Sequence, residues 1–324
     1  MKLYPLQFQP KFKYRIWGGN KLKTVLNKEY SGENIGESWE ISDVQGDETE
    51  VLYGALKGYT LKQLIQEFKG KFVGENVYTT FGNEFPLLIK IIDAETPLSI
   101  QVHPSDEIAK KRHNSYGKNE MWYVMAADSD AELVVGFNQE TNQETYLESL
   151  KSGKVLDLLN LERVQKGDTF YIPTGRIHAI GAGVLLAEIQ QTSDVTYRIY
   201  DYNRVDATTG AERELHNDLA IDVIDYEVQP NYKTTYDQIE NISNTLVNSP
   251  YFKTNFIKIT KLVQKDYSGL DSFVIYICVD GSVEILCEKE TYLLKVGETI
   301  LFPASTKKVT INSSFESAVL EVYL

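Results

Sequence analysis

The sequence predicts a mainly β protein, built from two barrels of one kind with a few short helices. Three observations point there. Tyrosine is abundant, at 21 residues, and short β-branched runs alternate with Gly, Asp and Asn turns, a composition that suits strands. Helical periodicity is confined to two short stretches. Finally, Lys166-Gly-Asp-Thr-Phe-Tyr-Ile-Pro173 recurs 130 residues later as Val296-Gly-Glu-Thr-Ile-Leu-Phe-Pro303, each copy reading turn, apolar strand, proline. That spacing is too long for a solenoid period and marks two copies of one unit.

Taken in order, residues 1–54 read as an irregular arm. Its turn signals fall at Gly18-Gly19, Ser31-Gly32 and Gln45-Gly46-Asp47, with Trp17 and Trp39 as packing anchors. A helix follows over 60–69: Thr60 and Gln63 make a capping box, Leu61, Leu64, Ile65 and Phe68 an apolar stripe, and Gly70 a stop. Pro97-Leu98-Ser99-Ile100-Gln101-Val102-His103-Pro104 alternates strictly, which sets Leu98, Ile100 and Val102 on one face of a strand and Ser99, Gln101 and His103 on the other. The Lys110-Lys111-Arg112 run, His113 and His216 read as solvated surface. A second helical patch starts near Thr141, with Glu144 three residues on and Tyr146, Leu147 and Leu150 as its apolar side. The expected division is 1–230, the arm plus a metal-bearing barrel, and 231–324, a second barrel without metal ligands, since 255–324 contains no histidine.

Composition limits the function classes. The chain of 324 residues is 42% hydrophobic and 24% charged, enough to form a core without disulfides. Its formal net charge of −13 argues against nucleic acid as a partner, because phosphate backbones need a basic surface. No apolar run is long enough for a membrane span. Cys278 and Cys287 form no disulfide framework; with no secretory leader in the first residues, this fits a reducing cytoplasm.

The polar side chains carry the chemistry. Gln101 and His103 share a strand face, Glu120 follows seventeen residues after His103, and His178 ends Gly167-x5-Pro173-x-Gly175-x2-His178. An amide oxygen, two imidazoles and a carboxylate suit a borderline divalent ion such as zinc. The Gly-x5-Pro-x-Gly-x2-His string matches the second cupin signature without a gap, and Gln101-x-His103 with Glu120 is an altered form of the first. The two copies therefore look like a bicupin of two jelly-roll barrels.

Further motifs follow in a fixed order: Ile16-Trp17-Gly18-Gly19, Glu37-Ser38-Trp39-Glu40, the Gln101-Val-His-Pro strand, Asn119-Glu-Met-Trp-Tyr123, His178-Ala-Ile-Gly-Ala-Gly183, and Glu188-Ile-Gln-Gln-Thr-Ser-Asp194 with Arg198. In these the chain resembles the type I mannose-6-phosphate isomerases, zinc-dependent cupin enzymes, over about residues 5–205, and its short length is similar to the compact bacterial members. The resemblance implies one zinc per chain, with Gln101, His103, Glu120 and His178 as ligands. It implies Lys118 and Arg198 as pocket cations, Glu188 and Asp194 as nearby carboxylates, and Ser99 and Lys90 as substrate-pocket positions. The activity implied is reversible isomerisation of mannose 6-phosphate and fructose 6-phosphate through a cis-enediol, in a cytoplasmic monomer or homodimer of mannose metabolism.

Aldose–ketose isomerisation needs a base at the α-proton, an electrophile for the developing oxyanion, and a grip on the phosphate. Lys118 shares strand parity with Glu120, so both can point toward the metal. Glu188 or Asp194 is the expected base, with Glu188 as a support for His178 or Arg198 the competing reading. Arg198, Arg204, Lys90 and Arg176 are the candidate phosphate cations, and Arg198 as an ion-pair partner of Asp201 is the structural alternative. Three other functions stay open: an isomerase of a different sugar phosphate, a non-catalytic metal-bearing cupin that binds or senses sugars, and a cupin dioxygenase. The glutamine ligand and the missing third histidine speak against the last.

Overall fold

The computed structural model describes residues 2–324 and is dominated by antiparallel strands. The chain divides into two compact units. One holds residues 12–38 and 91–234; the other holds 2–11, 39–90 and 235–324. The dividing line passes through two strands, Ile35–Ile41 and Leu87–Ala94.

The first unit is a sandwich of two sheets. One runs in the order Thr169–Ile172, Glu120–Ala127, Val184–Gln191 and continues through Leu87–Ala94 and Ile35–Ile41 to Lys11–Tyr14. The other runs Tyr197–Tyr200, Ile100–Val102, His178–Ile180, Glu132–Phe137, Leu159–Arg163. Trp122, Val124, Phe170, Ile172, Val184 and Leu186 of one sheet pack against Leu133, Val135 and Ile180 of the other. Burying each such side chain stabilises the fold by about 1.5–3 kcal/mol. Ile100, Val102, Ile177, Ala179, Tyr197 and Ile199 point the opposite way, into a separate cluster with Tyr146, Val155 and Leu158 of the helical insertion. The alternation of the Gln101 strand therefore has a cause: its apolar face is covered by helix, and its polar face looks between the sheets. Leu98 departs from the expectation. It precedes the strand proper, takes the Ile180 carbonyl as its backbone partner, and packs between the sheets instead of with Ile100 and Val102.

The second unit repeats the plan. A five-stranded sheet (Asn244–Asn248, Lys253–Ile259, Ser317–Tyr323, Val274–Asp280, Thr299–Phe302) packs on a four-stranded one (Val263–Asp266, Lys308–Asn312, Ser282–Cys287, Glu290–Lys295). Tyr276, Ile300 and Val319 meet Val283, Ile285 and Ile311 in its core. The internal repeat is structural. Thr169–Ile172 and Thr299–Phe302 are both terminal strands of their sheets, and Phe170 pairs with Trp122 as Ile300 pairs with Tyr276.

The helix over Leu61–Phe68 has the Thr60–Gln63 capping box in full, and Gln143–Lys151 starts from an Asn142 cap. The arm is less irregular than expected, because Ile35–Ile41 is a strand buried at every residue. With both faces covered it shows no alternation, and Gly36, Glu37, Ser38 and Glu40 disguise it. Gly36 is required there, since a Cβ would stand 2.5 Å from the Trp17 ring. Trp17 is a core residue, as anticipated. Asp106–His113 is a helix, not a simple solvated run. It lacks an apolar stripe and depends on its ends: Ser105 caps it, Asp106 and Glu107 fill the first turn, and Lys110, Lys111, Arg112 and His113 the last, each sign matching the helix dipole. Arg112 is anchored to Asp222 at 2.7 Å, and the exposed His113 ring lies 2.8 Å from the Tyr197 hydroxyl. No helix among the described residues is long and apolar enough to cross a membrane.

Candidate functional site

Strand register assembles the site inside the first unit. In one sheet His178 is paired with Gln101, and Gln101 with Arg198. Directly opposed residues share a face, so these three form one polar row. In the facing sheet Glu120 is paired with Gln190, and two residues along, on the same face, Trp122 with Glu188. The turn Pro173–Ile177 aims His178. Gly175 has φ +87°, and its N–H donates to the His103 carbonyl at 2.9 Å, which ties both imidazole-bearing segments together. A Cβ on Gly175 would come 2.9 Å from the Val223 carbonyl oxygen.

His103, Glu120 and His178 are fully buried, and one donor atom from each lies within 4.8 Å of the others. The His103 Nε2 is 3.5 Å from Glu120 Oε2, and the His178 Nε2 is 3.4 Å from Glu120 Oε1. Each ring is fixed by its other nitrogen. His103 Nδ1 meets the Val195 carbonyl at 3.0 Å and His178 Nδ1 the Arg176 carbonyl at 2.8 Å. Carbonyls only accept, so both Nδ1 atoms carry the proton and both Nε2 lone pairs face the carboxylate. His178 Nε2 is buried with no hydrogen-bond partner among the described residues. Burial holds the His178 pKa down at about 3, so the ring is the neutral form that a metal needs. This donor set fits a divalent ion. Gln101 is half-buried beside His178 in the register.

Lys118 is buried, its ammonium 3.2 Å from both Glu120 Oε2 and His103 Nε2. Burial alone would lower its pKa, but Glu120, Glu188 and Asp194 reverse the sign and keep it cationic. Glu188 is buried on the inner face and accepts the Trp122 indole N–H at 3.1 Å. Ser99 is buried just before the Gln101 strand, and Asp194 is exposed on the loop after Gln191. Lys90 is buried in Leu87–Ala94, its ammonium 5.0 Å from the centre of the Trp39 ring.

Arg198 is partly buried. Its Nη1 donates to the Glu214 carbonyl at 2.8 Å, and its buried Nε has no hydrogen-bond partner among the described residues. It is not the ion-pair partner of Asp201. That carboxylate is clamped by Arg204 and Arg213, each at 2.6 Å, which hold its pKa below the usual range against the effect of burial. Arg204 is thereby committed to structure, and it also donates to the Pro97 carbonyl. Arg176 stacks over the Tyr232 ring at 5.0 Å.

Sequence reasoning missed three groups. Asn119 and Gln191 clasp each other at 2.8 Å, and Gln191 goes on to Asp106 while Asn119 accepts from Thr174 N, which fixes the start of the Glu120 strand. Gln190 is fully buried and leaves Oε1 without a hydrogen bond among the described residues. The signal for all three was present in the quoted motifs, as amides flanking Glu120 and Glu188. His216, read as surface, is half-buried against Arg198.

Comparison with known proteins converges on the same chemistry. Residues 5–140 match the family model described as phosphomannose isomerase type I, catalytic domain, and residues 242–322 match that of the mannose-6-phosphate isomerase cupin domain. The chain is 37% identical over 309 residues to mannose-6-phosphate isomerase ManA of Bacillus subtilis, covering 94% of each. It is 33% identical to the mannose-6-phosphate isomerase of Streptococcus mutans, covering 96% of each. The crystal structure of the mannose 6-phosphate isomerase from Bacillus subtilis superposes with a TM-score of 0.89 at 31% identity, covering 99% of this chain and 100% of that one. A buried His–Glu–His group between two cupin sheets, with whole-length similarity of this strength, leaves one assignment: the chain belongs to the type I phosphomannose isomerases.

Proposed function

We propose that this chain interconverts mannose 6-phosphate and fructose 6-phosphate at one zinc ion held by Gln101, His103, Glu120 and His178. The observation that carries the metal assignment is the pair of Nε2 lone pairs turned on one buried carboxylate, at 3.4 and 3.5 Å. When bound, the ion would supply a Lewis acid able to polarise the sugar oxygen at C1 or C2.

The protein's own groups do the rest. The α-proton passes between C1 and C2 by way of a cis-enediol, and the base is a carboxylate of Glu188 or Asp194. Trp122 orients Glu188 through the indole N–H. Lys118, held cationic among carboxylates, offsets negative charge as it develops on the enediol oxygens. Arg198 brings a second cation, whose Nε is uncommitted, and Ser99 contributes a hydroxyl to the substrate side. On this reading 1–230 carries the chemistry and 231–324 is a second barrel without metal ligands. Two buried free thiols, Cys278 and Cys287, support a cytoplasmic enzyme of mannose metabolism, and a monomer or homodimer suffices because every named group comes from one chain.

The test is a coupled assay of mannose 6-phosphate conversion on chelator-stripped protein and on the same protein reloaded with zinc. Activity should vanish and return. A zinc-loaded protein that converts nothing would overturn the proposal in favour of a sugar-binding cupin.

A further inference from the structure

Arg198 lies on Tyr197–Tyr200, the terminal strand of its sheet, so one side of that strand has no strand neighbour. An edge residue whose backbone N–H and C=O point outward needs another partner. His216 supplies both. Its Nδ1 accepts the Arg198 N–H at 3.1 Å, and its own N–H donates to the Arg198 carbonyl at 2.7 Å. Two residues earlier, the Glu214 carbonyl takes the guanidinium at 2.8 Å. One three-residue segment, 214–216, thus fixes both the backbone and the side chain of the cation that the register sets beside Gln101.

We propose that His216 is a positioning residue for the isomerase reaction, that it holds Arg198 in place through its neutral ring, and that protonation of the ring releases the arginine. The proposal rests on the pocket role given to Arg198 above. The chemistry is one-sided. Nδ1 can accept from Arg198 only while it carries no proton, so the ring's hydrogen sits on Nε2, the nitrogen 4.0 Å from the Glu214 carboxylate. A proton on Nδ1 would oppose two N–H donors and break the latch. The groups facing the ring are the Arg198 guanidinium, Glu214, His113 from the neighbouring helix, and Tyr197. Burial first, then Arg198 and His113, push the imidazole below its usual range, while Glu214 opposes them; the neutral latch therefore persists at neutral pH.

The experiment compares zinc-loaded wild type, H216N, H216L, R198A and the R198A/H216L double variant in the mannose 6-phosphate assay across pH, with thermal melting alongside. The asparagine amide oxygen stands where Nδ1 stands and does not titrate. H216L should lose about tenfold or more in kcat/KM, and the double variant should be no worse than R198A within about twofold, since both act through one group. H216N should restore most of the activity and keep more of it than wild type on the acid side. H216L at wild-type kcat/KM with a lowered melting point would overturn the proposal. So would losses that multiply in the double variant, or H216N no better than H216L. R198A at the wild-type rate would refute the pocket role of Arg198 and the latch together; an impaired R198A beside an unimpaired H216L would refute the latch alone.

Discussion

His178 predicts a measurable acid sensitivity of the metal-free protein. The ring is fully buried, and burial lowers its pKa from 6.5 to about 3. In the unfolded chain the ring titrates at about 6.5. Below that pH the unfolded state takes up a proton that the folded state refuses, so the contribution to stability is complete above 6.5 and is lost as pH falls toward 3. At about pH 4.5 the chain is about two pH units below the unfolded value, which corresponds to a loss of about 3 kcal/mol. Replacing His178 by Gln removes the titration. Urea unfolding of chelator-stripped protein at about pH 7.5 and 4.5 should therefore show wild type losing about 3 kcal/mol more than H178Q over that interval. Acidic groups remote from residue 178 titrate alike in both proteins and cancel in the comparison. Equal losses would refute the reasoning, because the ring would then be taking up its proton while folded.

Two more predictions follow from single contacts. W122F deletes the indole N–H that Glu188 accepts and should lower kcat about tenfold or more, the effect of about 1.5–3 kcal/mol for a bond to a charged group; an unchanged kcat in zinc-loaded protein would show that the indole does not orient Glu188. G175A places a Cβ at φ +87° and 2.9 Å from a carbonyl oxygen, and should cost about 1–3 kcal/mol in urea unfolding and weaken zinc retention; an unshifted midpoint would refute the strain argument.

What could be read from the sequence, and what could not, divides along physical lines. Gln101 and His103 were legible because a strand has period two, and helices cover the apolar side of this one. His178 was legible because Gly175 must adopt a positive φ to make the turn before it. Ile35–Ile41 was not, since a strand buried on both faces has no alternation to show. The helix Asp106–His113 escaped because its signal lies in charge order and caps. His216 escaped for a different reason. Its contact with Arg198 spans 18 residues across a hairpin, and no local pattern records which edge of a strand still needs a partner.

The second sandwich holds a buried carboxylate at a place equivalent to one in the first, and satisfies it differently. Its rows correspond to the first: Phe170–Trp122–Glu188 in one unit matches Ile300–Tyr276–Glu321 in the other. A buried carboxylate therefore occupies the equivalent place in both, so polarity alone does not tell the two sandwiches apart. The difference lies in how the polar atoms are satisfied. Glu321 accepts from Tyr267 at 2.6 Å, Lys265 at 2.7 Å, Ser243 at 2.7 Å and Asn255 at 2.8 Å, and Tyr276 closes the network through the Tyr267 hydroxyl. Those bonds keep the Glu321 carboxylate ionised despite burial. In the first sandwich His178 Nε2, Gln190 Oε1 and Arg198 Nε are all without hydrogen-bond partners among the described residues. Buried polar atoms left so cost folding energy, of the order of 1–3 kcal/mol each. That cost is one a bound ligand would offset, and the equivalent carboxylate of the second sandwich, Glu321, does not bear it.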